Sequence, residues 1–183
     1  GHFKNVKPWK DSLTASEIVM HPFDCDSSAL HHVFDRGWMW QLRFDNGITS
    51  AGLLSRSKFN PNRSPDETWQ ETLRQYPSIA VQFTKATSAQ PLKVTGRLQR
   101  RLNKAAGENW ALLPHSFGFV DPLLSPGHAH SLFGVERLLR IFSQYSNQED
   151  MLPALRKYQA ALKQEISFLD ELIATCYLTF PSF

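Results

Sequence analysis

The run Trp110-Ala-Leu-Leu-Pro-His-Ser-Phe-Gly-Phe-Val-Asp-Pro-Leu-Leu-Ser-Pro-Gly-His-Ala-His-Ser-Leu-Phe-Gly134 leaves the chain few ways to fold. Its first four residues read as a short apolar strand. A loop follows, punctuated by Gly118, Pro122, Pro126 and Gly127. From about His128 to Phe142 the apolar residues recur at helical spacing. Leu132, Val135, Leu139 and Phe142 form the stripe, flanked by Ala129, Leu138 and Ile141. A strand that feeds a helix through such a loop gathers backbone N–H groups and the positive end of the helix dipole around one point. That arrangement suits an electron-rich or anionic group.

The segment upstream reads as antiparallel sheet. Leu30–Phe34, Trp38–Phe44 and Ile48–Leu54 are rich in β-formers and are separated by Asp35-Arg36-Gly37 and Asp45-Asn46-Gly47. Asn-Gly between two such runs predicts a hairpin with a type I′ turn. Trp38, Trp40, Leu42 and Phe44 alternate with Met39, Gln41 and Arg43, so one face is aromatic and apolar and packs on either core or ligand. Residues 1–10 suit an edge strand. Residues 55–66 form a polar loop. Ser64, Pro65 and Glu67 then have the spacing of a helix start with a capping box, and Trp69, Leu73 and Tyr76 fall at helical spacing. After Pro77 the run through Ile79, Val81 and Phe83 fits a second short helix or a strand equally. Leu92 to Leu102 predicts one strand or a hairpin around Gly96. A last helix is expected from about Asp150 to Tyr177, with Leu155, Tyr158, Leu162, Ile166, Leu169, Ile173 and Cys176 on its packed face.

The 183 residues are ample for a packed core, and the net charge of +3 is spread along the chain. The dense basic run Arg97-Leu-Gln-Arg-Arg-Leu-Asn-Lys104 carries no interleaved aromatics. It reads as a solvated strand or hairpin edge rather than a nucleic-acid surface. Two distant cysteines, Cys25 and Cys176, make neither a disulfide framework nor a metal knuckle. With no signal-peptide pattern at the N-terminus, they point to a reducing, cytoplasmic setting. No apolar run is long enough to span a membrane.

Glycine-rich phosphate loops, HExxH, GxSxG and paired CxxC are all missing from the sequence; its nine glycines are isolated. His31-His32 would alternate across a strand, and His128 and His130 do not share a helix face, so no metal site is expected. Ser116, His115 and Asp121 are too close in sequence to assemble a hydrolytic triad.

Gly118-Phe-Val-Asp-Pro-Leu-Leu-Ser-Pro-Gly127, followed by a helix, resembles the second flavin-contacting motif of the FAD-dependent monooxygenase and halogenase superfamily, which shares the para-hydroxybenzoate hydroxylase type of fold. Gly37-Trp-Met-Trp-Gln-Leu42 is similar to the Trp-x-Trp-x-Ile-Pro motif of the halogenase branch. Ser50-Ala-Gly52 is similar to that branch's Ser-Val-Gly strand. The resemblance covers about residues 1–145. It implies that Gly118, Asp121 and Pro122 pass along the isoalloxazine. It also implies that Ser125, Gly127 and His128 bring the helix N-terminus to the flavin N1/C2 edge, and that Trp38 and Trp40 lie on the substrate side.

Departures from the family pattern are equally specific. The family's Gly-Asp pair falls at Pro114-His115, so His115 stands where an acid holds part of FAD. Leu42-Arg43 replaces Ile-Pro. Leu124 stands where the tryptophan-halogenating branch has a glutamate.

The expected fold is thus α+β, part of an α/β FAD-binding fold. A substrate-side antiparallel sheet region with an inserted helix fills 1–104. The latter part of the FAD-binding domain, with C-terminal helices, fills 105–183. The glycine-rich unit that holds the adenosine half of FAD is not in the sequence. The chain therefore reads as a C-terminal fragment carrying half of a flavin site, and alone it should not hold FAD tightly.

The implied activity is oxidation of a small organic substrate through reduced flavin and O₂, as a monooxygenase or halogenase. Electrons would come from a separate flavin reductase or NAD(P)H. The alternatives are a reductase of the geranylgeranyl-reductase type, a relative that has lost flavin binding, and an unrelated α+β binding domain in which this loop is ordinary turn chemistry.

Overall fold

The computed structural model describes residues 1–56 and 62–182. Part of the polar loop expected over 55–66, including Pro61, lies outside the described residues. Contacts divide the chain into two compact units, one from Gly1–Thr95 together with the segment starting at Thr179, the other Gly96–Leu178.

In the first unit a five-stranded sheet has the order β2-β3-β4-β1-β5. Its strands are β1 (His2–Lys4), β2 (Leu30–Phe34), β3 (Gly37–Arg43), β4 (Ile48–Ser55) and β5 (Thr87–Ser88). The meander expected over 30–54 is present, with Trp40 opposite Gly52 and Met39 opposite Leu53. Two local expectations are corrected. β1 lies between β4 and β5 and is not an edge strand. The turn after β3 is not type I′, because only Gly47 has positive φ, at 78°. The Asn46 carboxamide oxygen instead accepts from the Ile48 N–H at 3.0 Å, and that bond shapes the turn without a left-handed Asn46.

β3 buries Trp38 on its aromatic face and Met39 and Gln41 on the other. Met39, with Phe3, Phe34, Ala51, Trp69, Ile79 and Phe83, forms the core beneath α2 (Pro65–Gln75) and α3 (Pro77–Phe83). The ambiguous run after Pro77 is therefore helix. Helix α2 opens with the expected capping box: the Ser64 side chain accepts from the Glu67 N–H while the Glu67 carboxylate accepts from the Ser64 N–H. A second capping box, Thr14 with Glu17, opens the five-residue helix α1 (Ala15–Val19), in a region whose sequence reads as turn formers around the short apolar piece Ile18-Val19-Met20.

The core face also holds a buried polar group. His32 Nε2 accepts from the side-chain amides of Gln41 at 3.0 Å and Gln82 at 3.4 Å. Burial, with a smaller push from His31, lowers the His32 pKa to about 4.

The second unit is built on α6 (Gln148–Thr179), whose buried positions are Leu155, Tyr158, Leu162, Ile166, Ile173 and Tyr177. The expected packed face is largely recovered. Across α6 lie α5 (Pro126–Gln144), the single turn α4 (Pro114–Phe117), and a two-stranded ladder of β6 (Arg100–Arg101) with β7 (Gly118–Phe119). Trp110–Leu113 is not a strand. Among the described residues it makes one isolated bridge, Ala106 with Ala111. Leu92–Leu102 shortens to β6, because Val94, Leu98 and Leu102 are exposed and have little to pack against.

Helix α5 is longer than expected and faces the other way. Its buried residues are His130, Gly134 and Leu138. Leu132 and Leu139 of the apolar stripe are 70% and 60% exposed. Gly134 explains the orientation: a Cβ there would stand 2.3 Å from Pro114 Cγ, so α4 seats directly on the helix backbone. No described helix is long and apolar enough to cross a membrane.

Candidate functional site

The loop from Gly118 to α5 is fixed by three features. Asp121 Oδ1 accepts from the Leu123 N–H at 2.8 Å, and Oδ2 accepts from the Tyr177 hydroxyl at 2.9 Å. Asp121 thereby shapes the loop and ties it to the last turn of α6. Next, Ser125 N–H donates to the Pro122 carbonyl at 2.9 Å. Finally Leu124 and Ser125 both take left-handed conformations, φ 63° and 51°. Side chains rarely accept such a backbone, at a cost on the order of 1–3 kcal/mol each, and residues of this kind cluster at functional sites.

The strained pair delivers the chain to Pro126, the first residue of α5. The N-cap position, Ser125, makes no side-chain cap, and the first turn carries no acid. Proline has no N–H, and the Ala129 N–H makes the first intrahelical bond to the Ser125 carbonyl, so Gly127 and His128 present the free backbone donors of a 19-residue helix with no capping side chain. They carry the partial positive charge of the helix dipole.

His115 stands beside this turn. A Cβ on Gly127 would lie 2.3 Å from His115 Nε2, and His115 Nδ1 sits 3.3 Å from Ser131 Oγ. The spacing Gly127, Ser131, Gly134 gives α5 a face of small residues on which Pro114 and His115 rest. The departure of Pro114-His115 from the family's Gly-Asp is thus matched by small residues on the facing helix. Deeper under the same helix, His130 Nε2 lies 3.1 Å from Glu165 Oε2, and Arg137 is 2.5 Å from Glu165 Oε1. Burial lowers the His130 pKa, and the Glu165 carboxylate opposes that shift. The sequence gives no hint of this trio, because its members come from two helices.

In the first unit Trp38 and Trp40 are on the face of β3 opposite the Met39 core. Trp38 is buried, and the His31 ring stacks on it at 4.8 Å and 21°. The Trp40 indole lies flat on Gly52, where a Cβ would approach to 2.1 Å, and its N–H reaches Ser50 Oγ at 3.5 Å. The two motifs that sequence places ten residues apart are therefore one packing unit. Gly52→Val is expected to displace Trp40, at a cost of about 1–3 kcal/mol from overpacking. Denaturant unfolding and the tryptophan emission maximum read this out; unchanged emission contradicts the contact.

His31 and His32 occupy opposite faces of β2. Asp24, Cys25 and Asp26 are clustered, but Asp26 already accepts from the Trp9 and Lys10 N–H groups and Asp24 pairs with Lys10. No disulfide joins Cys25 and Cys176.

Comparison with known proteins agrees with the motif reading. The tryptophan halogenase family model matches residues 6–180. Monodechloroaminopyrrolnitrin halogenase PrnC of Pseudomonas fluorescens is 28% identical over 191 residues, which take in 100% of this chain and 33% of that protein. Tetracycline 7-halogenase of Kitasatospora aureofaciens is 26% identical over 192 residues, 100% of this chain and 35% of its own. Among solved structures, halogenase PltM in complex with phloroglucinol and FAD superposes with a TM-score of 0.82 at 27% identity, covering 98% of this chain and 37% of that one. The chain spans about a third of the length of the curated relatives it matches. These relatives are halogenases, and they lend no support to the geranylgeranyl-reductase alternative.

Proposed function

The chain belongs to the tryptophan halogenase family, and from that premise we propose that it forms the latter third of an FAD-dependent halogenase acting on a small organic substrate. The observation that carries the proposal is the uncapped, acid-free start of α5 behind the left-handed Leu124–Ser125 pair. It lies within Gly118–Gly127, the segment that resembles the family's flavin-contacting motif.

The donor set fits the pyrimidine side of FAD. The N–H groups of Gly127 and His128 suit the N1/C2 carbonyl edge, which carries negative charge in reduced flavin. A helix start stabilises such charge by about 0.3–1 kcal/mol, and more when partly buried. The chemistry FAD supplies when bound is reductive activation of O₂.

The protein's own residues have the following parts. Gly118 and Pro122 flank the ring path. Asp121, held by Leu123 and Tyr177, sets the loop's shape rather than touching the cofactor. Ser125 positions the first turn. His115, resting on Gly127, replaces the family's acid at the ribityl side. Trp38 and Trp40 contribute a rigid aromatic surface to the substrate side. Nothing in the sequence supplies the glycine-rich adenosine site, so residues 1–183 alone are expected to bind FAD more weakly than micromolar. Electron supply from a separate flavin reductase or NAD(P)H belongs to the same proposal.

Tyr177→Phe probes the loop anchor. It removes a hydrogen bond to a carboxylate, worth about 1.5–3 kcal/mol. The expected result is a loss of that size in the unit Gly96–Leu178, with local backbone shifts over 121–125. Wild-type stability and an unchanged loop spectrum contradict the anchor.

The activity is tested in an enzyme carrying residues 1–183 as its latter third, given reduced FAD, O₂, a phenol and chloride or bromide. Halogenated product that disappears when halide is omitted is expected. Hydroxylated product formed equally without halide would replace halogenation by monooxygenation. A folded enzyme with no flavin absorbance would favour the relative that lost flavin binding, for which Pro114-His115 is the supporting feature.

A further inference from the structure

The basic run Arg97–Lys104 lies on a solvated strand edge, as expected, with Arg97, Arg100 and Arg101 all exposed. With Gln99 and Asp170, Arg97, Arg100 and Arg101 wall a cavity of about 310 Å³ whose apolar lining is Phe119, Val120 and Ile166. All of these belong to the unit Gly96–Leu178.

Each guanidinium is aimed by a neutral partner. Arg97 donates to Gln99 Oε1 at 2.5 Å, Arg100 to the His115 carbonyl at 2.9 Å, and Arg101 to Ser167 Oγ at 3.2 Å. Among the described residues no carboxylate lies within ion-pair distance of any of the three. Asp170, the one acid in the wall, accepts from Gln99 Nε2 at 2.6 Å. The Arg100 guanidinium also lies over the Phe119 ring, 5.6 Å from its centroid. Three solvent-facing guanidinium forks without a carboxylate partner, around an aromatic and aliphatic floor, match one ligand chemistry. Guanidinium forks pair with carboxylate or phosphate oxygens in a planar, two-point geometry. The floor matches a flat apolar body, and the volume is at the small end of ligand sites.

We propose that this cavity binds a small organic oxyanion, a carboxylate or phosphate carried on a flat apolar group. The proposal stands on the unit's own geometry and does not depend on the flavin reading.

The test is a titration of the 183-residue chain with phenyl phosphate and with benzoate, followed by backbone amide and arginine side-chain NMR. Saturable shifts are expected at Arg97, Arg100, Arg101, Phe119 and Val120. Inorganic phosphate should bind more weakly than phenyl phosphate, and neutral phenol should leave the arginine signals unmoved. Which of the two anions binds more tightly assigns the head group.

Arg100 also anchors the His115 carbonyl, so the primary variant is Arg97→Gln with Arg101→Gln, expected to weaken binding at least about tenfold, or 1.4 kcal/mol. Arg97→Lys with Arg101→Lys keeps the charge and loses the fork. It should fall between, and it serves as the test if the glutamine pair does not fold. No saturation, shifts scattered away from the cavity, or equal affinity in these variants overturns the proposal. So does binding confined to an oligonucleotide, which would make the run a nucleic-acid surface.

Discussion

Phe117→Ala is expected to remove about 3–5 kcal/mol from the unit Gly96–Leu178, the usual cost of deleting a fully buried phenylalanine. Phe117 ends α4 and packs among Ala105, Leu138, Leu155, Tyr158, Leu162 and Ile166. Its N–H donates to Leu113 and its carbonyl accepts from the Leu102 N–H at 2.8 Å, so the backbone is held while the ring disappears. A cavity then remains between α4 and α6, because rigid helices on both sides collapse only in part. The loss is about a fifth or more of the stability of an ordinary domain. Phe117 also precedes Gly118, so the loop leading to α5 loses the ring that pins its first residue to α6. Denaturant unfolding followed by a probe in each unit reads the effect. The transition of Gly96–Leu178 should move and that of the sheet unit should not. A loss below about 1 kcal/mol would contradict the packing.

The second large effect is a pH dependence in the sheet unit. His32 titrates at about 4 when folded, against an ordinary value of 6.5. The folded protein therefore resists a proton that the unfolded chain accepts. The full contribution is present above about pH 6.5, falls as pH drops toward 4, and is gone below it. At 1.36 kcal/mol per pKa unit the whole span is about 3 kcal/mol, and about 2 of it is lost by pH 5. Hydrogen bonding adds a reason for the sign. Gln41 and Gln82 both turn amide donors toward Nε2, and a protonated nitrogen would have no acceptor there. Unfolding free energies of the sheet unit at pH 7 and pH 5, compared with His32→Gln, check this. The variant should lose most of the slope between those values. An equal slope in both proteins would assign the acid sensitivity elsewhere.

Elements set by local chemistry were legible. Asn46-Gly47 marks the hairpin, Ser64-Pro65 with Glu67 marks the start of α2, and the long stripe from Leu155 to Ile173 marks α6. Each signal lies within a turn or two of the residues it organises. Elements that depend on distant partners were not legible. Trp110–Leu113 is apolar throughout like a short buried strand but has no neighbouring strand among the described residues. The α5 stripe has the right period, and the buried side was chosen instead by Gly134 against Pro114, a contact of small residues that hydrophobicity does not register. β1 became an inner strand through pairing with Thr87–Ser88, more than eighty residues away in sequence.

The loop after Gly118 and the helix that follows it were foreseen. The left-handed Leu124–Ser125 pair was not, because neither residue type favours it. His115 was singled out as the departure from the family. That its ring would rest against Gly127 could be read only from the spacing Gly127, Ser131, Gly134, once α4 was known to cross α5 there.

The central claim is that the start of α5 receives the pyrimidine side of a flavin. Riboflavin carries that ring without a phosphate to engage the arginine-walled cavity. Its titration into the 183-residue chain, followed by amide NMR, tests the claim most directly. Weak, saturable binding with the largest shifts at Gly118, Gly127 and His128 is expected. Shifts centred away from that turn, or none as riboflavin approaches its solubility, would contradict it.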